Sequence, residues 1–121
     1  MTLDEYNDFC GSLPQAAHVV QWGGADVWKV GGKLFAVAGW SKNGPETCLA
    51  VTFKTSDIAY HVLKDEEGLR PAPYLASRGM KWIQHYALPG LDDENLKIHI
   101  KASYDMAIER LTKKLRTELG L

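Results

Sequence analysis

The adjacent glycines Gly31-Gly32 place the strongest constraint on how this chain can fold. Apolar-rich segments flank them, Val27–Val30 on one side and Leu34–Ala38 on the other. A Gly-Gly pair supplies the positive φ angles that a two-residue turn requires, so the pattern predicts an antiparallel hairpin. In an uninterrupted hairpin of this register Trp28 pairs with Phe35, and we expect that aromatic pair to anchor the sheet to the core.

Periodicity and capping residues place the remaining elements. Thr2 and Glu5 match a capping box, and Pro14 ends the helix that follows. The predicted order is α-β-β-β-α-β-α. It begins with a helix at 3–12, which the two hairpin strands and a third strand at Thr47–Lys54 follow. A helix from Thr55-Ser56-Asp57 to Gly68, a strand at Lys81–Ala87 and a long helix that begins at Asp92-Asp93-Glu94 complete the chain. Residues 69–80 are expected to be irregular because they contain Pro71 and Pro73. Antiparallel strands with helices on one face indicate an α+β fold with a sheet of about four strands.

The same periodicities predict which side chains are buried. Ile58, Val62 and Leu63 form the apolar stripe of the second helix, and one continuous face of the last helix extends as far as Leu115. The expected core contains Trp28, Phe35, Leu49, Val51, Phe53, Val62, Ile100, Tyr104, Ile108 and Leu111.

Composition limits the class of protein. A length of 121 residues, with 45% hydrophobic and 24% charged residues, fits a single globular domain over 1–121. The formal net charge of −1 gives no overall attraction to polyanions, so any anion binding must come from a local patch. No stretch approaches the roughly 20 apolar residues of a membrane span, and Met1–Glu5 is acidic rather than signal-like. We therefore expect a cytoplasmic, monomeric protein without a membrane partner.

The sequence contains no catalytic motif with specific spacing. His61 and Asp65 stand four residues apart and could hold a divalent metal, but a solvated acidic helix end is the commoner explanation of such a pair. Cys10 and Cys48 are far apart and outside any C-x-x-C pattern, which favours buried thiols over a disulfide. We expect no resident metal, no cofactor and no catalytic residue.

The segment from Leu69 to Trp82 differs in kind from its surroundings. It contains three cations and no acid, together with two prolines and the aromatic residues Tyr74 and Trp82. Cations interleaved with aromatic rings can neutralise phosphates and stack on bases, although both rings could equally pack inward. Cations also outnumber acids between Lys97 and Arg116, where a solvated helix face is an alternative explanation.

The run from Val27 to Ala36, the run Arg70–Leu75 followed by Lys81-Trp82, and Ser103-Tyr104 together resemble the MmcQ/YjbR family. The resemblance implies a CyaY-like (frataxin-like) fold and DNA binding through exposed hairpins and loops. It points to the following candidate nucleic-acid-binding residues: Lys29, Lys33, Arg70, Tyr74, Arg78, Lys81 and Trp82.

We therefore expect a non-enzymatic domain that binds DNA through a local basic patch. Two alternatives stay open. The frataxin-like fold suggests iron binding, for which the first helix offers only Asp4, Glu5 and Asp8. A small-molecule site could also lie under the 69–82 loop.

Overall fold

The structure, a computed structural model, describes residues 1–39, 49–73, 75 and 79–121. Within these residues six strands form one antiparallel sheet of order β1-β2-β3-β4-β6-β5. The elements in chain order are α1 (Leu3–Ser12), β1 (Ala16–Gln21), β2 (Ala25–Val30), β3 (Lys33–Ala38), β4 (Val51–Lys54), α2 (Asp57–Leu63), β5 (Leu69–Pro71), β6 (Trp82–His85), α3 (Asp93–Glu109) and α4 (Lys113–Leu119). The α+β class is confirmed, with two more strands than the sequence predicted.

The first helix begins as its capping box predicts. The Glu5 amide donates to the Thr2 hydroxyl at 3.1 Å, and the Thr2 amide donates to the Glu5 carboxylate at 3.0 Å. The two bonds satisfy backbone donors that the first turn of a helix leaves without partners.

Two edge strands escaped prediction. The sequence of β1 does not alternate between apolar and polar residues, and most of its side chains are exposed because only β2 pairs with it. Strand β5 contains Pro71, so the prediction that this part of the 69–80 segment is irregular was wrong. Proline is tolerated on an edge strand, where its missing N–H need not serve a second neighbour.

A bulge changes the register of the central hairpin. Val30 pairs with Lys33, as a two-residue turn requires, but Trp28 pairs with Ala36 and not with Phe35. Phe35 is the extra residue of the bulge, so Phe35 and Ala36 both join the main core while Leu34 packs on the opposite side of the sheet. The predicted Trp28–Phe35 pair was therefore wrong, although both rings are buried.

The main core lies between one face of the sheet and helices α1, α2 and α3. The ring of Tyr104 meets that of Phe35 edge-on, with 5.3 Å between centroids. Of the predicted core, the following residues are buried: Trp28, Phe35, Val51, Phe53, Ile100, Tyr104 and Leu111. Leu49 and Ile108 are partly buried and pack against this core.

Helix α2 is shorter than predicted and buries a different face. It ends at Leu63, with Lys64 as its C-cap, rather than at Gly68. Only Leu63 of the predicted stripe is buried, whereas Ile58 and Val62 are 80% and 60% exposed. Helical spacing alone could not show that Ala59 and Tyr60 would supply the rest of the contact with the core.

The predicted last helix is in fact two helices. Helix α3 stops at Glu109, and Thr112 adopts an extended conformation and caps α4 by accepting a hydrogen bond from the Leu115 amide at 3.1 Å. Between them Leu111 lies against the hairpin turn, because a Cβ placed on Gly31 would lie only 2.7 Å from a Leu111 methyl carbon. A threonine whose side chain bonds to a nearby backbone amide favours the start of a new helix over continuation of the old one, and apolar periodicity does not predict this.

Candidate functional site

Three loops and strand ends meet at one end of the sheet, which we call the hairpin end. The Gly31-Gly32 turn lies there, together with the end of β4 at Lys54 and the start of β6 at Trp82, since Lys54 pairs with Trp82. The C-terminus of α3 reaches the same place through the contact of Leu111 with Gly31.

The hairpin end gathers cations from five separate parts of the chain. They are Lys29, Lys33, Lys54, Lys81, Arg110, Lys113 and Lys114. The salt bridges within the described residues are Met1–Asp93, His18–Asp26 and Lys101–Asp105, and none of the gathered cations takes part in them. These side chains are partly or fully exposed, so their charges are available to a ligand.

A cavity of about 490 Å³ opens among these cations. Its lining includes three cations, Lys54, Lys81 and Arg110, and a single carboxylate, Asp57. Partial burial lowers the pKa of Lys54, and the nearby Arg110 guanidinium lowers it further. Two like charges thus stand close together without a carboxylate between them.

Trp82 forms part of the cavity wall and is only 1% exposed. Its ring therefore cannot stack on a base in this conformation, which was the role considered for it. Its indole Nε1 is buried and has no hydrogen-bond acceptor among the described residues. The neighbouring Lys81 ammonium lies 4.9 Å from the centre of the Tyr60 ring, a favourable cation–π distance.

Arg70 lies apart from the hairpin end and is already engaged. It occupies the middle of the edge strand β5, where its Nε donates to the Gln84 side chain at 2.8 Å. Its guanidinium carbon lies 4.3 Å over the centre of the Tyr86 ring. Two further candidates, Tyr74 and Arg78, lie outside the described residues.

The structure therefore brings together Lys29, Lys33 and Lys81 of the predicted residues. It adds Lys54 and Arg110, which sequence reasoning missed as parts of a site. The missing information was the pairing of β4 with β6, which joins segments far apart in sequence. The signals in the sequence were the placement of Lys54 at the end of a predicted strand and the excess of cations between Lys97 and Arg116, which includes Arg110.

The acidic residues cluster at the other end of the sheet, which we call the opposite end. Helix α3 begins there, and the Glu67 carbonyl accepts a hydrogen bond from the Gly90 amide at 3.0 Å, which joins the two acidic segments. The acids of this end include Asp26, Glu66, Glu67, Asp92, Asp93 and Glu94. The chain is thus electrically polarised along its strands although its net charge is only −1.

The metal and thiol candidates of the sequence take ordinary positions. Asp65 lies beyond the end of α2, so the one-turn helical spacing proposed for His61 and Asp65 does not apply. Within the described ranges no three His, Cys, Asp or Glu side chains come together as a metal site would require.

Cys10 is a buried free thiol, and burial raises its pKa to about 12, so it is not a thiolate nucleophile at neutral pH. Cys48 lies outside the described residues.

Helices in the described part of the chain are too short or too polar to cross a bilayer. The molecule is an antiparallel α+β protein with helices on one face of the sheet and a basic surface at one end. The model of the YjbR family matches residues 11–106, and the chain belongs to that family.

Solved structures share this fold at low sequence identity. DR2400, a DUF419-domain protein of Deinococcus radiodurans, is 22% identical with a TM-score of 0.82, over 99% of this chain and 88% of that one. A protein of Pseudomonas syringae is 17% identical with a TM-score of 0.69, over 88% of this chain and 99% of that one. No curated protein matches the chain. The implied likeness to CyaY stays an expectation.

Proposed function

We propose that this protein is a non-enzymatic domain that binds the phosphate backbone of nucleic acid, most readily duplex DNA, through the hairpin end. The observation that carries the proposal is the convergence there of cations that form no salt bridge within the described residues, from the β2–β3 hairpin, the end of β4, the start of β6, the C-cap of α3 and the start of α4. Phosphate contacts supply most of the affinity of sequence-independent binding, and lysine and arginine are their usual donors.

The arrangement of these cations suits an extended polyanion. Lys29 and Lys33 lie on the central hairpin, while Lys113 and Lys114 begin α4 just after Leu111, the residue that contacts the hairpin turn at Gly31. A polymer can contact both groups at once, whereas a small ion can contact only one. The acidic opposite end repels the same polymer and so orients it toward the hairpin end.

Salt dependence tests the proposal directly. If three to five of these cations each neutralise a phosphate, log affinity falls with log salt at a slope of about −3 to −5 on duplex DNA. Fluorescence anisotropy with labelled oligonucleotides at several salt concentrations measures that slope.

Charge reversal identifies the surface. The variant Lys29→Glu with Lys33→Glu should lose most binding. A matched control, Lys64→Glu with Lys97→Glu, changes the net charge equally but away from the hairpin end, and it should lose much less. Equal losses would mean that only the overall charge matters, and no binding at low salt would end the proposal.

A further inference from the structure

We infer that the cavity at the hairpin end binds the phosphate monoester group of a small organic phosphate, such as a mononucleotide. The cavity lies within the hairpin end, and its binding of a small phosphate does not require binding of the nucleic-acid backbone. The two proposals share Lys54, Lys81 and Arg110, whereas Lys29 and Lys33 belong only to the extended surface.

The charge balance of the cavity favours a doubly charged anion. Lys54, Lys81 and Arg110 contribute three positive charges to the lining, and Asp57 contributes one negative charge. A monoester phosphate carries close to two negative charges at neutral pH, so it matches the remaining excess. Burial lowers the pKa of Lys54 most, and the Arg110 charge lowers it further; an anion between the two cations would relieve this repulsion.

Trp82 gives a second observation. Buried polar groups are almost always hydrogen-bonded, yet the indole Nε1–H of Trp82 has no acceptor among the described residues. Trp82 is also one of the residues that line the cavity. An oxygen of a bound ligand, with a small adjustment of the wall, would supply the missing acceptor.

The size of the cavity indicates more than a bare phosphate ion. A volume of about 490 Å³ lies within the usual range for small-molecule sites. Met80 and Trp82 line the cavity beside the cations and add apolar residues to its lining. The organic part of the ligand would contact this wall while the phosphate contacts the cations.

Two sources could supply such a group, namely a free mononucleotide or the phosphorylated 5′ end of a nucleic-acid strand. Titration of the ¹⁵N-labelled full chain by NMR at constant ionic strength can follow the Trp82 indole cross-peak, which the variant Trp82→Phe identifies. Adenosine 5′-monophosphate should shift this cross-peak, and unphosphorylated adenosine should not. Comparing oligonucleotides with and without a 5′-phosphate then decides between the sources.

Charge-neutral variants locate the contacts. The variant Lys54→Gln with Arg110→Gln should bind adenosine 5′-monophosphate at least about tenfold more weakly. The control Lys64→Gln with Lys97→Gln should bind it as the unmodified chain does. Because Lys29 and Lys33 do not line the cavity, their reversal to Glu should abolish duplex binding but leave nucleotide binding largely in place.

Three results would overturn the inference: equal binding of adenosine and its monophosphate, an unmoved Trp82 cross-peak at millimolar nucleotide, or undiminished affinity in the folded Lys54→Gln, Arg110→Gln variant. Any of them could occur while the chain still bound duplex DNA through the hairpin, so failure of this site is distinguishable from failure of the proposed function.

Discussion

The two ends of the sheet differ in how their charged side chains are engaged. At the hairpin end Leu111 packs on Gly31, and the charged side chains around this contact have no salt-bridge partners in the described structure. At the opposite end the contacts are polar: the Met1 ammonium pairs with Asp93 at 2.8 Å, and the Gly68 carbonyl accepts the Tyr86 amide at 2.9 Å.

The difference shows how a chain of almost neutral net charge can present a cationic surface. The acids of the opposite end act locally as helix caps and as an ion-pair partner, as Asp92 does when it accepts the Asn95 amide at 2.8 Å. The cations of the hairpin end form no salt bridge among the described residues. Packing of Leu111 on Gly31 and hydrogen bonds such as that from the Lys54 amide to the Ser103 hydroxyl at 2.9 Å hold the segments that carry them. Four changes test this contrast.

Truncation of Leu111 should have the largest effect. The side chain is 7% exposed, and Leu111→Ala should lower the free energy of unfolding by about 2–5 kcal/mol, since it removes buried methyl groups and leaves a cavity. Urea denaturation measures the change. A loss below about 1 kcal/mol would show that the hairpin end does not depend on this contact.

Substitution of Gly31 should have the next largest effect. Gly31→Ala should lower the free energy of unfolding by about 1–3 kcal/mol in total. Gly31 has a φ of +56°, which disfavours alanine, and an added Cβ would lie 2.7 Å from a Leu111 methyl carbon. In the Leu111→Ala background the steric part should disappear, leaving about 1 kcal/mol for the backbone. A double-mutant cycle measures this coupling, and strictly additive losses would contradict the packing.

Removal of the α1 cap at the opposite end should cost less. Thr2→Ala deletes the hydroxyl that accepts the Glu5 amide, with an expected loss of about 1 kcal/mol. Thr2→Ser keeps the hydroxyl and serves as the control in the same denaturation assay. If Thr2→Ala lowered the free energy of unfolding as much as Leu111→Ala does, the expected difference between the two ends would be wrong.

The smallest effect should be a pH dependence at the opposite end. Burial lowers the pKa of His85 below its ordinary value of 6.5, in spite of the nearby Asp93 carboxylate. The unfolded chain therefore binds a proton more readily, so the contribution of His85 to stability is complete above pH 6.5 and decreases as the pH falls toward the folded pKa. Melting temperatures between pH 7.5 and 5 measure this decrease relative to His85→Gln, in which it should be absent; identical profiles would refute the assignment.

Local signals in the sequence predicted local features correctly. The capping box of α1 depends only on Thr2 and its neighbours, and the Gly31-Gly32 turn depends on backbone freedom at two positions. The family resemblance likewise rested on short runs and is confirmed by the YjbR match. Features that depend on contacts at long range were predicted less well, as the exposed Val62 and the bulge at Phe35 show.

The candidate site was only half predictable for the same reason. Lys29 and Lys33 were named through the family resemblance of the local run Val27–Ala36, whereas Lys54 and Arg110 join them only through strand pairing and helix packing across the sheet. Arg70 looked free in the sequence, yet Gln84 and Tyr86, which engage it, lie 14 and 16 residues further along the chain.

The sequence by itself determined the α+β class, the central hairpin and the ends of its first helix, because turns, caps and apolar periodicity act between residues close together in the chain. Only the tertiary structure decided that seven cations gather at one end of the sheet and that acids such as Glu67 and Asp93 lie at the other. The positions of charged residues in space depend on strand order and helix packing, which join segments that are far apart in the sequence. Here the pairing of β4 with β6 and the packing of Leu111 on Gly31 bring the cations together.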